Sequence, residues 1–277
     1  MSGNLPVFVS QSALQSFLVC KKRYQLRYLQ QVQWPAEQFA PLVESEKRIK
    51  AGEFFHKLAH QYFLGLPAEI LEAQARQYGH PQMLGWWQNF LRSITNGVIN
   101  ISTLTHRSAE KNAFGQLGGY TLAAKFDLIG FSSTGIHIFD WKTNQTKPPT
   151  AKLEADLQSL VYLLVAHLSP LVPLDLRHGN NITMAYWFAN HPQQPVEIHA
   201  NAHKLAEAEK TILEILKRIE AETEFAEVED LRVCTGCVFR SYCGRGVAAP
   251  EYDEDGFAID PPDEFDLAWL LANGQDF

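Results

Sequence analysis

No uninterrupted apolar run of about 18 residues occurs in the chain, so no stretch of it reads as a membrane-spanning helix. The opening residues, MSGNLPVFVSQSALQ, lack the charged start and cleavage pattern of a secretory signal, so a cytoplasmic protein without a membrane partner is expected. Cysteine is scarce, with 4 in 277 residues, and a cytosolic chain is not expected to use them as structural disulfides. Internal repeats and low-complexity linkers are absent as well. Basic residues are missing from one end: residues 250–277 carry 9 acids and no lysine or arginine. The net charge of −7 is therefore mostly a property of that tail, and residues 1–249 carry +2. Overall acidity thus does not exclude a nucleic-acid partner, and basic clusters in CKKRYQLRY (20–28) and EKRIK (46–50) are compatible with phosphate contacts.

What is present is an ordinary globular composition, 46% hydrophobic and 20% charged, long enough for one domain carrying an inserted helical part. Apolar periodicity predicts helices at about 10–29 with Ser10 as N-cap, 43–64, 67–78, 81–98, 150–168 and 201–222. Strands are expected at about 107–115, 119–131 after the Gly118-Gly119 turn, 135–141, 181–189 and 195–199. The first three strands read as a meander. The order implies a mixed α/β core with an N-terminal helical part at about 43–100.

The stretch IHIFDWKTNQ (136–145) alternates like a strand and places Asp140 and Lys142 two residues apart, hence on one side of a sheet. Upstream, YTLAAKFDLIG puts Asp127 in the middle of another apolar strand, where a carboxylate needs a cation or a donor. Across a short turn the two acids come near each other, a pairing that invites a hard divalent ion such as magnesium. A lysine beside it suits a water or a charged phosphate, the chemistry of phosphodiester hydrolysis. Gln158 and Tyr162 share one face of the helix that follows. His56 in GEFFHKLAH and Glu110 in SAEKNAF are further polar candidates, each as readily explained by a structural role. Cys234, Cys237 and Cys243 form C-x2-C-x5-C, and with Cys20 they make four thiols suited to zinc or an iron-sulfur cluster, the lone distant cysteine favouring the cluster.

Taken in order, these pieces resemble the PD-(D/E)XK nuclease superfamily, and more narrowly its RecB-like nucleases with an iron-sulfur cluster, a group including CRISPR-associated RecB-like exonucleases and the AddB nuclease domain. The resemblance covers about residues 10–246. It implies a restriction-endonuclease-like mixed sheet flanked by helices, with a C-terminal cysteine-bearing segment and a single domain over 1–249 closed by the cluster. It also implies a Mg2+- or Mn2+-dependent deoxyribonuclease, exonuclease rather than endonuclease, acting on single-stranded DNA or DNA ends in repair, recombination or CRISPR adaptation. His56, Asp127, Asp140 and the carbonyl next to Asp140 would hold the metal, and Lys142 would position the attacking water. Gln158 and Tyr162 would match a QxxxY motif that supports the site and contacts DNA, and Glu110 would be a site-edge acid. Cys20, Cys234, Cys237 and Cys243 would carry a [4Fe-4S] cluster, with zinc as the alternative.

The sequence departs from the family pattern in two places: Asp140 stands where many members have glutamate, and Lys125 precedes Phe126-Asp127 where a glycine is more usual. Tyr24, Tyr28 and Trp34 lie beside basic residues and are candidates for base stacking. The tail 250–277 reads either as a solubilising extension or as a docking element for a protein partner. A competing function is a non-catalytic, cluster-bearing DNA-binding or assembly subunit.

Overall fold

The structure is a computed structural model that describes residues 3–32, 44–133, 135–173, 176, 181–234 and 237–246. Trp34 and the acidic tail lie outside the described residues. Six strands form one sheet: β1 (Val9–Ser10), β2 (His106–Leu117), β3 (Tyr120–Ser132), β4 (Gly135–Lys142), β5 (Ile182–Phe188) and β6 (Val196–Ala200). Strands β2, β3 and β4 form the expected antiparallel meander. Gly118 and Gly119 have φ of +54° and +92°, the left-handed pair that a two-residue hairpin between Leu117 and Tyr120 demands. Strand β5 then pairs parallel to β4, which requires a crossover, and β6 closes that end antiparallel. The two-residue strand β1, parallel to β3, was not foreseen in the sequence.

Helices cover both faces. On one face α1 (Gln11–Val19), the crossover helix α7 (Leu157–Leu168) and α8 (Ala202–Glu220) pack on Ile136, Ile138, Ile182, Met184 and Phe188. On the other, α3 (Glu44–Phe63), α4 (Ala68–Gln77) and α5 (Met83–Thr95) pack on Phe139, Trp141, Ala185 and Trp187. The alternation along β4 and β5 divides their side chains between these two layers. Phe55, Phe90, Trp141 and Trp187 are all buried in the second layer, at about 2–3 kcal/mol each relative to exposure. Trp187 keeps its polar edge satisfied by donating to Ser93 Oγ at 3.0 Å.

Two expected helices are interrupted. The segment 10–29 starts as anticipated, with Ser10 Oγ accepting from the Ala13 N–H, but breaks at Cys20, whose backbone is extended (φ −157°, ψ 111°). The chain resumes as α2 (Lys21–Tyr24) and a π-helical turn, Gln25–Leu29. The segment 150–168 divides at Asp156 into α6 (Thr150–Ala155) and α7, because Asp156 adopts an extended conformation and its carboxylate caps Gln158 N. Tyr24 is buried, its ring stacked on Phe225 and its hydroxyl donating to the Asn4 carbonyl at 2.8 Å, so it is a core residue and not a base platform. Arg23 is likewise buried, with Nε donating to Ser16 Oγ at 3.1 Å. Lys21 pairs with Glu222, and Lys22 N donates to Ala226 O, so the N-terminal helices dock on the segment after α8.

Candidate active site

Strand β3 has three partners and two edges. The β2 register runs along one edge, skipping only Glu110 opposite Asp127, so β1 and β4 share the other, β1 at Leu122–Ala123 and β4 at Leu128–Ser132. Residues 124–127 between them have no strand partner on that edge. Leu128 and Phe139 are the last β3–β4 pair, so Asp127 and Asp140 are the residues that the next rung would have joined. The strands part there, and Asp127 Oδ2 accepts the Trp141 N–H at 2.7 Å. A side chain thus satisfies a backbone donor at the opening. Beyond this point β4 continues on β5, with Asp140 beside Tyr186 and Lys142 beside Phe188.

Asp140 and Lys142 point to the α7 side, as period-2 alternation predicts. Asp140 is buried; Lys142 Nζ lies 2.8 Å from its Oδ2, while Gln158 Nε2 donates to its Oδ1 at 2.7 Å. The same glutamine accepts from Lys142 Nζ through Oε1 at 2.9 Å, closing a three-residue ring. The Lys142–Oδ2 contact is close but poorly directed: among the described residues Oδ2 finds no well-aligned hydrogen-bond donor. Lys142 also lies 5.5 Å from the Tyr186 ring centroid, and Tyr186 in turn is fixed through its hydroxyl to Ser159 at 2.8 Å. One turn along α7, Tyr162 donates to the Lys125 carbonyl at 2.8 Å, within the stretch of β3 that β4 does not cover. Gln158 therefore touches the charged groups, whereas the buried Tyr162 holds the backbone beneath them.

His56 reaches the opening from α3. Gly52, one turn earlier, lets this helix approach the loop after β4, since a Cβ there would lie 3.0 Å from Thr143 Oγ1. His56 Nδ1 lies 3.0 Å from Asp127 Oδ1. Burial alone would lower the imidazole pKa, but Asp127 and, more weakly, Glu110 and Asp140 raise it to about 9. Burial would likewise raise the Asp127 carboxyl, yet His56, the Trp141 N–H and Lys142 hold it below the ordinary range. Asp140 goes the other way: burial, reinforced by Asp127 and opposed by Lys142 and His56, pushes it up to about 6.

Glu110 is brought closer than its sequence context indicated. It stands across β2 from Asp127, between the pairs Ala109–Leu128 and Lys111–Phe126, and has φ of +50°. That conformation costs a non-glycine residue about 1 kcal/mol or more and coincides with a change of face. Phe126 belongs to the α7 layer and Leu128 to the α3 layer, although residues two apart in a regular strand share a face. A carboxylate oxygen of Glu110, one of Asp127 and a His56 ring nitrogen all lie within 4.8 Å of one another. Lys125 Nζ lies 2.5 Å from Glu110 Oε2. These three residues form an oxygen-rich set with one imidazole that fits a hard divalent cation; Asp140 is not one of that converging group, although its Oδ2 lacks a well-aligned donor among the described residues.

One part of the arrangement left no trace in sequence. Asn190, just after β5, accepts from Trp86 Nε1 at 2.9 Å and donates to the carbonyls of Thr143 and Asn144 at 3.2 and 2.8 Å. Gln82 and Gln145 add a reciprocal amide contact, and the loop leaving Lys142 is thereby tied to α5.

The four cysteines lie at the opposite end of the chain's closure, where the α1–α2 break meets the segment after α8. Cys237 is buried and packs with Leu26 and Phe239, with Cys243 against the same cluster. Burial, then Glu227, Cys237 and Cys20, raise the Cys243 thiol to about 11. Arg245 donates to Cys234 Sγ at 3.4 Å and pairs with Glu227 at 2.9 Å. Among the described residues, however, the His/Cys/Asp/Glu atoms that converge at ligand spacing are those of His56, Glu110 and Asp127, and no three of these sulfurs form such a group.

Comparison with known proteins places this geometry. No curated protein matches the sequence. Among solved structures, a protein described as a candidate exonuclease from Eubacterium rectale has 13% identity, with 88% of this chain and 91% of that one covered, and a TM-score of 0.52. At that identity the likeness concerns the fold alone. SSO0001 (12% identity, 87% and 88% covered) and VC1899 from Vibrio cholerae (14%, 77% and 56%) give TM-scores of 0.32 and 0.26 and carry no weight here. A sequence profile of the PD-(D/E)XK superfamily, whose nucleases cleave nucleic acid with divalent metal ions, matches residues 9–244. The mixed sheet with helices on both faces is the restriction-endonuclease-like fold of that group, and no described helix is long and apolar enough to cross a membrane. With most of its length inside that match, the chain belongs to the PD-(D/E)XK nuclease superfamily.

Proposed function

We propose that the protein is a RecB-like, Mg2+- or Mn2+-dependent deoxyribonuclease that removes nucleotides from single-stranded DNA or DNA ends, in repair, recombination or CRISPR adaptation. The observation that carries the reading is the ring of Asp140, Lys142 and Gln158 facing Asp127 where β3 and β4 part. His56, Asp127 and Asp140 would hold the catalytic cation, with Glu110 at its edge. The chemistry a divalent ion held by these residues would supply is activation of water and neutralisation of charge developing on the scissile phosphate. Lys142, oriented by Gln158, holds the attacking water or the phosphate oxygen in line, and attack on phosphorus leaves a 5′-phosphate. Tyr162 keeps β3 in register beneath the site through the Lys125 carbonyl.

Cys20, Cys234, Cys237 and Cys243 carry a [4Fe-4S] cluster in this reading, closing residues 1–249 into one domain with the helical part at about 43–100 inserted on one face. Support comes from the docking of the N-terminal segment on the chain after α8, through Asn4 Nδ2 donating to Glu222 O at 2.7 Å, the Lys21–Glu222 pair and Lys22 N donating to Ala226 O.

The test is anaerobic purification with iron and sulfide analysis, followed by digestion of end-labelled single-stranded and duplex DNA in Mg2+ or Mn2+ by wild type and Asp140→Ala. A brown protein whose progressive shortening of DNA disappears in the variant is expected. A brown protein that binds DNA but cuts nothing would replace the proposal with a non-catalytic assembly subunit. A colourless zinc protein would remove the cluster.

A further inference from the structure

Lys125 bears on how this site takes up its cation. Its ammonium lies 2.5 Å from Glu110 Oε2, and Glu110 is one of the three residues whose ligand atoms converge within 4.8 Å. The contact is built into the backbone at both ends. Glu110 turns toward the opening through φ of +50°, and the Lys125 carbonyl is anchored by Tyr162 at 2.8 Å in the stretch of β3 that β4 does not cover. The Asp127 carboxylate is held by His56 and the Trp141 N–H. The lysine side chain is one-third exposed, so its ammonium can leave for solvent at little cost.

From this geometry we infer that Lys125 is a resident counter-ion for Glu110 that competes with the divalent cation and sets the metal concentration at which the site fills. The inference rests on the nuclease reading of the site. While Lys125 is in place, Glu110 is neutralised and the site offers His56, Asp127 and Asp140. When the ammonium swings out, Glu110 joins them and the negative charge facing the cation rises by one. Lys125 is therefore a positioning residue that tunes metal affinity through Glu110. Like-charge repulsion between ammonium and cation acts in the same direction, so removing the lysine should tighten binding.

The experiment is calorimetric titration of metal-free protein with Mn2+, without DNA, for wild type, Lys125→Met, Lys125→Gln, Glu110→Gln and the Lys125→Met/Glu110→Gln double variant. Either substitution of the lysine is expected to tighten Mn2+ binding by about fivefold in the wild-type background. In the Glu110→Gln background most of the gain should be lost, because the carboxylate that the lysine shields is gone and only the direct repulsion remains. Unchanged or weaker binding in both lysine variants would overturn the inference. An equal gain with and without the Glu110 carboxylate would also overturn it, since it would reveal a general field effect. Asp140→Ala, titrated alongside, reports on the site itself: wild-type affinity in that variant would sink the site assignment independently of Lys125.

Discussion

Asp127 and Asp140 face each other one position beyond the last β3–β4 rung, and the Asp127 carboxylate takes up the Trp141 N–H on the strand opposite. The opening of the ladder and the meeting of two acids are thus one structural event. The pair repel, and because His56 and the Trp141 N–H stabilise the charge on Asp127, the resulting electrostatic strain falls mainly on the buried Asp140.

That strain has a sign in pH. The Asp140 carboxyl, raised to about 6, binds a proton more readily in the folded than in the unfolded chain. Its contribution to stability is complete below about pH 4 and is lost as pH rises through about 6. In EDTA, wild type is expected to lose about 2–3 kcal/mol relative to Asp140→Asn between pH 4 and 8. Urea unfolding at a series of pH values measures the difference; parallel curves for the two proteins would contradict it.

Cation binding should expel protons. His56, with its pKa raised to about 9, must shed a proton to ligate, and Asp140 must be ionised. Calorimetry of Mn2+ binding in buffers of different ionisation enthalpy should show about one proton released at pH 7.5 and close to two at pH 5.5. His56→Gln should remove the release at pH 7.5 and leave part of that at pH 5.5.

Gln158 and Tyr162 lie on one helix face but should separate by assay. Gln158→Ala frees Lys142 and uncovers Asp140, and is expected to slow single-turnover cleavage about tenfold to a hundredfold with little change in unfolding free energy. Tyr162→Phe takes the hydroxyl from the Lys125 carbonyl and should cost about 1–2 kcal/mol of stability with the smaller effect on rate.

Asn190 should matter without touching the charged groups. In Asn190→Asp the acceptor for Trp86 survives, but an oxygen replaces the amide that donates to the Thr143 and Asn144 carbonyls. A loss of about 2 kcal/mol is expected, with faster amide exchange across 143–145 than in wild type.

Much of this was legible in the sequence because it follows from short-range periodicity. The Asp140-x-Lys142 alternation and the four-residue step from Gln158 to Tyr162 place side chains correctly once strand and helix are assigned, and the meander follows from Gly118-Gly119. The breaks at Cys20 and Asp156 were missed because apolar periodicity runs straight through them, although Asp156 is a good N-cap residue. The closeness of Glu110 depends on the sign of one backbone dihedral and on a face change in both strands, neither of which alternation encodes. The Asn190 contacts bring together residues about a hundred positions apart through polar groups that carry no periodic signal.

The docking of residues 4–32 on residues 222–246 also orders events on the ribosome. At about 5–20 residues per second, the first helices wait roughly 10–40 s before the chain that covers Tyr24 and bonds to Lys21 and Lys22 beside Cys20 has been made. For that interval an aromatic surface and a thiol stand without their C-terminal partners. Closure is therefore a late, long-separation step, slow to form by its topology and reached only by chains translated past Cys243.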